Sequence, residues 1–179
     1  MAKKICIDAG HGGSDPGAIN GTYKEKNAAL GIAFELGLIL YRSGYEVYFT
    51  RTNDTAVSLA DRCTISNLAD VDLFVSVHLN SATSTTPAGI ETWVYRNAST
   101  TARKVADKVQ KQLLIEATGA KNRGVKESGF YVLKNTKSPA ILVETGFISN
   151  STECKKLFTT DYQRTIAKAI YNGIRQQVK

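Results

Sequence analysis

The chain has only two histidines, and each closes a strand-like run. Lys4-Ile5-Cys6-Ile7-Asp8-Ala9 leads into Gly10-His11-Gly12-Gly13, and Asp72-Leu73-Phe74-Val75-Ser76-Val77 leads into His78-Leu79-Asn80. A third apolar run, Pro139-Ala140-Ile141-Leu142-Val143, stops at Glu144-Thr145-Gly146. In an open α/β sheet, ligand-binding groups gather just beyond the carboxyl ends of the strands. If these runs share a sheet, two imidazoles and a carboxylate meet at one edge, which is the beginning of a metal site with a base beside it.

Between these runs, helix-like and strand-like segments alternate. Glycines punctuate a loop from Gly10 to Gly21. Residues 25–43 carry Leu30, Ala33, Phe34, Leu36, Leu38 and Leu40 as one broad apolar helical face, and Gly44 follows as a C′ glycine. A strand is expected over 45–50. Ser58 can cap a helix running to Leu68, with Asp61 placing negative charge in its first turn. Gly89–Tyr95 reads as a strand and Ser99–Ala117 as a helix with Val105, Val109, Leu113 and Leu114 inward. Gly119–Gly129 reads as a polar loop, and Phe130–Leu133 and Ala140–Glu144 as short strands. A short helix starts at Asn150, Ser151 or Thr152, and a last one spans 160–177 with Ile166, Ala169, Ile170 and Ile174 inward. The expected architecture is a single α/β domain over 1–179: an open, mostly parallel six-stranded sheet flanked by about five helices.

Composition removes several classes. At 179 residues and 42% hydrophobic content, the chain can bury one core. No apolar run approaches the ~18 residues that span a membrane, so no membrane partner is expected. Met1-Ala2-Lys3-Lys4 is positive, but the apolar stretch after it is short and broken by Asp8, so it reads as a strand and not as an export signal. Release by other means, as in a phage, or excision from a longer secreted protein follows as the expectation. Cys6, Cys63 and Cys154 form no C-x-x-C pair and read as free, buried thiols. The net charge of +7 suits an acidic polymer or simple solvation. The lysines are dispersed, without the aromatic-basic interleaving of a nucleic-acid module, so nucleic acid is not an expected partner.

Glycines beside His11 let the backbone turn sharply and leave room next to an imidazole, a common zinc ligand. The spacing is wrong for a nucleotide loop. Each histidine alone reads equally as a hydrogen-bonded structural residue; together, both at strand ends, they favour a shared site. A catalytic zinc usually has three protein ligands and an open position. With the cysteines set aside, the third ligand is a carboxylate, and Glu25, Asp15, Asp8 and Glu91 are the candidates. Glu25 opens a helix just after the His11 loop, where a first-turn acid also serves the helix dipole. Glu144 ends a run that belongs in a buried strand. It must be ion-paired, for example to Arg123, or functional, with its pKa raised towards that of a general base.

Several segments resemble one family. They are Ile7-Asp8-Ala9-Gly10-His11-Gly12-Gly13 with Asp15-Pro16-Gly17-Ala18, then Glu25, Thr50-Arg51-Thr52, Ser76-Val77-His78-Leu79-Asn80-Ser81, Gly89-Ile90-Glu91-Thr92, Asn122-Arg123-Gly124-Val125-Lys126 and Ala140 to Asn150. In this order the chain resembles the type-3 zinc-dependent N-acetylmuramoyl-L-alanine amidases of bacteria and phages. The resemblance implies one zinc per chain held by His11, Glu25 and His78, with Glu144 as catalytic base and peptidoglycan as partner. It further implies hydrolysis of the amide between N-acetylmuramic acid and L-alanine at the bacterial cell wall. Asn80 and Arg123 are the candidates for substrate contacts, and a monomer is expected. Some relatives insert a blocking helix after the second histidine strand; only Leu79–Ala88 fills that place here, so built-in autoinhibition is not expected. A zinc peptidase or deacetylase acting on another wall amide, or a wall-binding module without catalysis, are the rival readings.

Overall fold

The structure is a computed structural model that describes residues 2–178; Met1 and Lys179, included in the expected domain bounds, lie outside the described residues. The strands are β1 (Lys4–Ala9), β2 (Ile19–Asn20), β3 (Tyr23–Lys24), β4 (Glu46–Phe49), β5 (Leu73–Asn80), β6 (Ile90–Tyr95), β7 (Asn122–Ser128) and β8 (Ala140–Phe147). The helices are α1 (Glu25–Arg42), α2 (Leu59–Ala69), α3 (Thr100–Glu116), α4 (Tyr131–Asn135), α5 (Ser151–Leu157) and α6 (Thr160–Ile174). Six strands form one sheet in the order β4-β1-β5-β8-β6-β7, and β2 and β3 pair separately inside the glycine loop. All neighbours in the large sheet run parallel except β6 against β8.

The apolar runs lie in the middle of this sheet because they are covered on both faces, the usual fate of parallel strands. Side chains alternate between the faces. Ile5, Ile7, Ala9, Val75, Val77, Ile141 and Val143 enter the larger core under α1, α3 and α6. Cys6, Phe74 and Leu142 face the other way and pack with Cys63 of α2 and with Val132 and Leu133 of α4. Asp8, Ser76, His78 and Glu144 continue this second face towards the carboxyl ends of β1, β5 and β8. The three cysteines are free and buried. Among the described residues, no helix is long and apolar enough to cross a membrane.

Local signals act as expected at several ends. The Ser58 hydroxyl accepts from the Asp61 amide at 3.1 Å and caps α2, while Gly44 takes a φ of 87° after α1. Other expectations are corrected. Residues 122–128 form the edge strand β7 instead of a loop. Its sequence is polar because an edge strand with exposed positions needs no apolar run. Phe130–Leu133 is not a strand: Phe130 immediately precedes the short helix α4, so six helices flank the sheet. β8 extends beyond Glu144 to Phe147, and α6 ends at Ile174. On α1 the buried stripe is Ala28, Ala29, Ile32, Ala33, Leu36 and Leu40. Phe34 and Leu38 are each 43% exposed, because they lie on the flanks of that stripe.

Candidate metal centre and active site

The loop after β1 carries His11 at φ 61°, in the left-handed region that non-glycine residues avoid. Two buried arginines hold it there. Arg51 donates through Nε to the Ala9 carbonyl at 2.9 Å and through Nη2 to the carbonyls of Gly10 and Lys26, both at 2.8 Å. Its Nη1 reaches the Asn53 carbonyl at 3.0 Å. Arg62 of α2 donates to the Ala9 carbonyl at 2.7 Å, to the His11 carbonyl at 2.8 Å and to Asp8 at 2.7 Å. Asp8 also accepts from Thr50 at 2.7 Å and Ser76 at 2.6 Å. Arg51→Met would take a donor from four carbonyls, of which Ala9 keeps Arg62. Groups left unpaired in this way cost about 3 kcal/mol or more in total. Urea unfolding of metal-free protein should show that loss; a midpoint equal to wild type would mean the loop does not depend on Arg51.

Glu25 begins α1 and folds back over the sheet edge. Its Oε1 accepts from the Leu79 amide at 2.9 Å and lies 3.1 Å from His11 Nε2 and 3.0 Å from His78 Nδ1. Its Oε2 accepts from the Ala18 amide at 2.9 Å. The two rings meet edge to face with centroids 4.9 Å apart. Glycines make this crowding possible. A Cβ at Gly10 would lie 2.3 Å from His78 Cε1, and one at Gly17 would lie 2.7 Å from both Glu25 Oε2 and the His11 ring. His11 Nδ1 is engaged by Asp15 at 2.8 Å, so Nε2 is the nitrogen turned towards Glu25.

One donor atom from each of His11, Glu25 and His78 lies within 4.8 Å of the others. Two imidazoles and a carboxylate suit zinc, and an outer carboxylate on the far nitrogen of a histidine is the usual support of such a ligand. The charges fit a cation as well. Burial disfavours protonation of His11, but the hydrogen bond and charge of Glu25, with those of Asp15, outweigh it and push the ring up to about 9. His78 is raised in the same way by Glu25, with Glu144 adding, against its own burial. Glu25 is held well below the carboxylate range despite burial, because both rings donate to it. Glu25 thus favours positive charge on the rings around it, and a bound cation would meet the same carboxylate.

Glu144 stands next to this cluster without joining it. Its Cα is in register with His78 of β5 on one side and Glu91 of β6 on the other. Its Oε2 is buried with no hydrogen-bond partner among the described residues. Burial pushes the carboxyl up from 4.5 to about 7; His78 opposes, and the charges of Glu25 and Glu91 add. The four residues open into a cavity of about 340 Å³ walled by Leu59, Phe130 and Tyr131.

The remaining candidates fall elsewhere. Glu91, 2% exposed, accepts from Asn80 at 2.7 Å, Trp93 at 3.2 Å, Arg123 at 2.6 Å and Lys126 at 2.5 Å. Burial works against its charge, but Lys126 and Arg123 outweigh it and lower its pKa. Arg123 therefore pairs with Glu91, not with Glu144, and lies in β7 instead of a loop. Asn80 ends β5 and lines the cavity. Asp8, Asp15 and Glu91 stay outside the three-donor cluster. Arg51 and Lys126 lie in the segments that carry the family resemblance, but the sequence assigns no role to them, to Arg62 or to the walls Phe130 and Tyr131. A buried arginine has no local signature, and Lys126, Phe130 and Tyr131 belong to the region whose elements were misread.

The N-acetylmuramoyl-L-alanine amidase family Amidase_3 matches residues 5–176. The chain is 38% identical over 176 residues to the N-acetylmuramoyl-L-alanine amidase LytC of Bacillus subtilis (strain 168), covering 97% of this chain and 35% of that protein. It is 38% identical over 184 residues to the endolysin of Bacillus phage SPP1, covering 98% of this chain and 66% of that one. The chain thus spans about a third and about two thirds of the length of these two relatives. The crystal structure of an N-acetylmuramoyl-L-alanine amidase from Clostridium difficile 630 superposes with a TM-score of 0.95 at 35% identity, covering 98% of this chain and 96% of that one. With its sheet order, its strand-end cluster and a family match running through nearly every element, the chain belongs to the Amidase_3 family of N-acetylmuramoyl-L-alanine amidases.

Proposed function

We propose that this chain is a zinc-dependent amidase domain that hydrolyses the amide between the lactyl group of N-acetylmuramic acid and the L-alanine of the peptidoglycan stem. One observation carries the reading: His11 Nε2, Glu25 Oε1 and His78 Nδ1 converge beside a carboxylate, Glu144, whose buried Oε2 has no hydrogen-bond partner among the described residues. His11, Glu25 and His78 would hold one ion per chain. When bound, zinc supplies Lewis acidity, which acidifies water and polarises a carbonyl.

The chain's own groups do the rest. Glu144 takes the proton of the attacking water on its carboxylate and returns it to the leaving amine, a task suited to a pKa near 7. Asp15 fixes the His11 ring through Nδ1. Asn80, with one amide hydrogen on Glu91 and its oxygen taken by the Ser81 amide, has its other amide hydrogen left for a substrate carbonyl. Leu59, Phe130 and Tyr131 shield the reacting amide from bulk water. The site of action is the bacterial cell wall, where peptidoglycan is the partner, and the domain works as a monomer.

The test joins zinc analysis of purified protein to mass spectrometry of digested peptidoglycan. One zinc per chain and free stem peptides with a new L-alanine amino terminus are expected. Release of acetate, or cuts within the stem, would hand the site to the deacetylase or peptidase reading. Wall binding without release would make this a binding module.

A further inference from the structure

The proposed reaction leaves the Glu91 cluster unexplained. A single buried carboxylate there holds two cations, Arg123 through Nε at 2.6 Å and Lys126 through Nζ at 2.5 Å, so the group carries one surplus positive charge. Arg123 is fixed on two sides. Its Nε is on Glu91, and its guanidinium carbon lies 4.8 Å from the centroid of the Phe147 ring. Among the described residues, nothing accepts from its two terminal nitrogens, the pair that matches a carboxylate in fork geometry. Lys126 is steadied over Trp93 at 5.2 Å, and its side chain is one-third exposed.

The sheet register aims this group at the reaction. His78, Glu144 and Glu91 form one rung across β5, β8 and β6. On β7 the pairing slips between Ile90↔Asn122 and Thr92↔Val125, so both Arg123 and Gly124 stand opposite Glu91. Such a bulge re-aims a side chain. It is held by the Asn122 side chain accepting from the Gly124 amide at 2.9 Å, with Gly124 at φ 80°. Two strand spacings separate the Arg123 backbone from Glu144, roughly 10 Å. That is about the reach from a scissile amide to a group on the next residue or two of a peptide, at ~3.5 Å per residue.

We propose that Arg123, supported by Lys126 and pre-set by Glu91 and Phe147, is a carboxylate-binding subsite that makes the domain selective for stem peptides bearing a free carboxylate next to the released L-alanine. The proposal rests on the amidase reading above. The matched probes are N-acetylmuramoyl-L-alanyl-γ-D-glutamyl-L-lysinamide and its isoglutaminyl counterpart, in which the γ-carboxyl is amide-bonded and the only difference is a free α-carboxylate against a carboxamide.

Zinc-loaded wild type should cleave the carboxylate form with a kcat/KM about 10- to 100-fold higher, the worth of a charge-assisted hydrogen-bonded contact. In Arg123→Ala that ratio should collapse towards one. Arg123→Lys, which keeps the charge without the fork and is the gentler change for folding, should lose most of it. Calorimetry with the released peptides, their γ-carboxyl still amide-bonded, should show the same preference in wild-type affinity and its loss in both variants, so a merely structural Arg123 would be exposed by variants that weaken both probes equally. An equal kcat/KM for the two probes in wild type, or a ratio unchanged in both variants, overturns the subsite and leaves the amidase reading intact. Release of no L-alanyl peptide from either probe and from whole peptidoglycan overturns the amidase reading, and this proposal with it.

Discussion

Glu144→Gln should keep the fold and the zinc and lose the rate by on the order of 10²- to 10⁴-fold, the contribution of a positioned proton-transfer group. Glutamine has nearly the same shape but cannot accept the water proton. Glu144 lies outside the three-donor cluster, so the metal should stay. The assay is mass-spectrometric counting of stem peptides freed from purified walls, with zinc content measured on the same samples. Release at the wild-type rate by folded, zinc-loaded Glu144→Gln would take this residue out of the mechanism. The same change should stabilise the metal-free protein at high pH. The folded chain binds the Glu144 proton more tightly than the unfolded chain, because burial and the charges of Glu25 and Glu91 outweigh His78 and His11. Its contribution to stability is therefore full below about 4.5 and is lost as the pH rises through about 7. Glutamine has no such loss. The gap in melting temperature between variant and wild type should be larger at pH 8 than at pH 5; an equal gap would place the strain elsewhere.

Much of this arrangement is written in short segments. The runs before His11, His78 and Glu144 are apolar because β1, β5 and β8 are sandwiched between two helical layers, and that composition is readable without a structure. β7 is not readable: Asn122–Ser128 lies at the sheet edge, where one strand neighbour and exposed positions permit Arg, Gly, Lys and Glu. Phe130–Leu133 has strand-like residues, yet Val132 and Leu133 turn inward from a short helix against Cys63. A four-residue apolar run carries no period long enough to separate the two forms.

The site divides along the same line. Two histidines at two strand ends mark its position. Which carboxylate joins them depends on partners far away in sequence. Asp8 is taken up by Thr50, Ser76 and Arg62, and Glu91 by Asn80, Trp93, Arg123 and Lys126. Asp15 lies behind the His11 ring. No spacing rule announces these bonds, since they join residues up to 68 apart.

His11→Ala and His78→Ala should each abolish tight zinc binding, and with it stem-peptide release. Each substitution leaves two donors where three converge, and Glu25 loses one of the two rings that hold its charge. Elemental analysis after dialysis against a chelator should find one zinc per chain in wild type and a small residue in either variant. The carboxylates should then sort by position. Glu25→Ala removes a donor and should lose zinc like the histidine variants. Asp15→Asn leaves all three donors and changes only the partner of His11 Nδ1, so it should bind zinc about 10- to 100-fold more weakly. Normal zinc in folded His11→Ala and His78→Ala would defeat the whole assignment. If Glu25→Ala keeps zinc while Asp15→Ala or Glu91→Ala loses it, the third ligand is that residue, and the convergence on Glu25 Oε1 belongs to the metal-free protein alone.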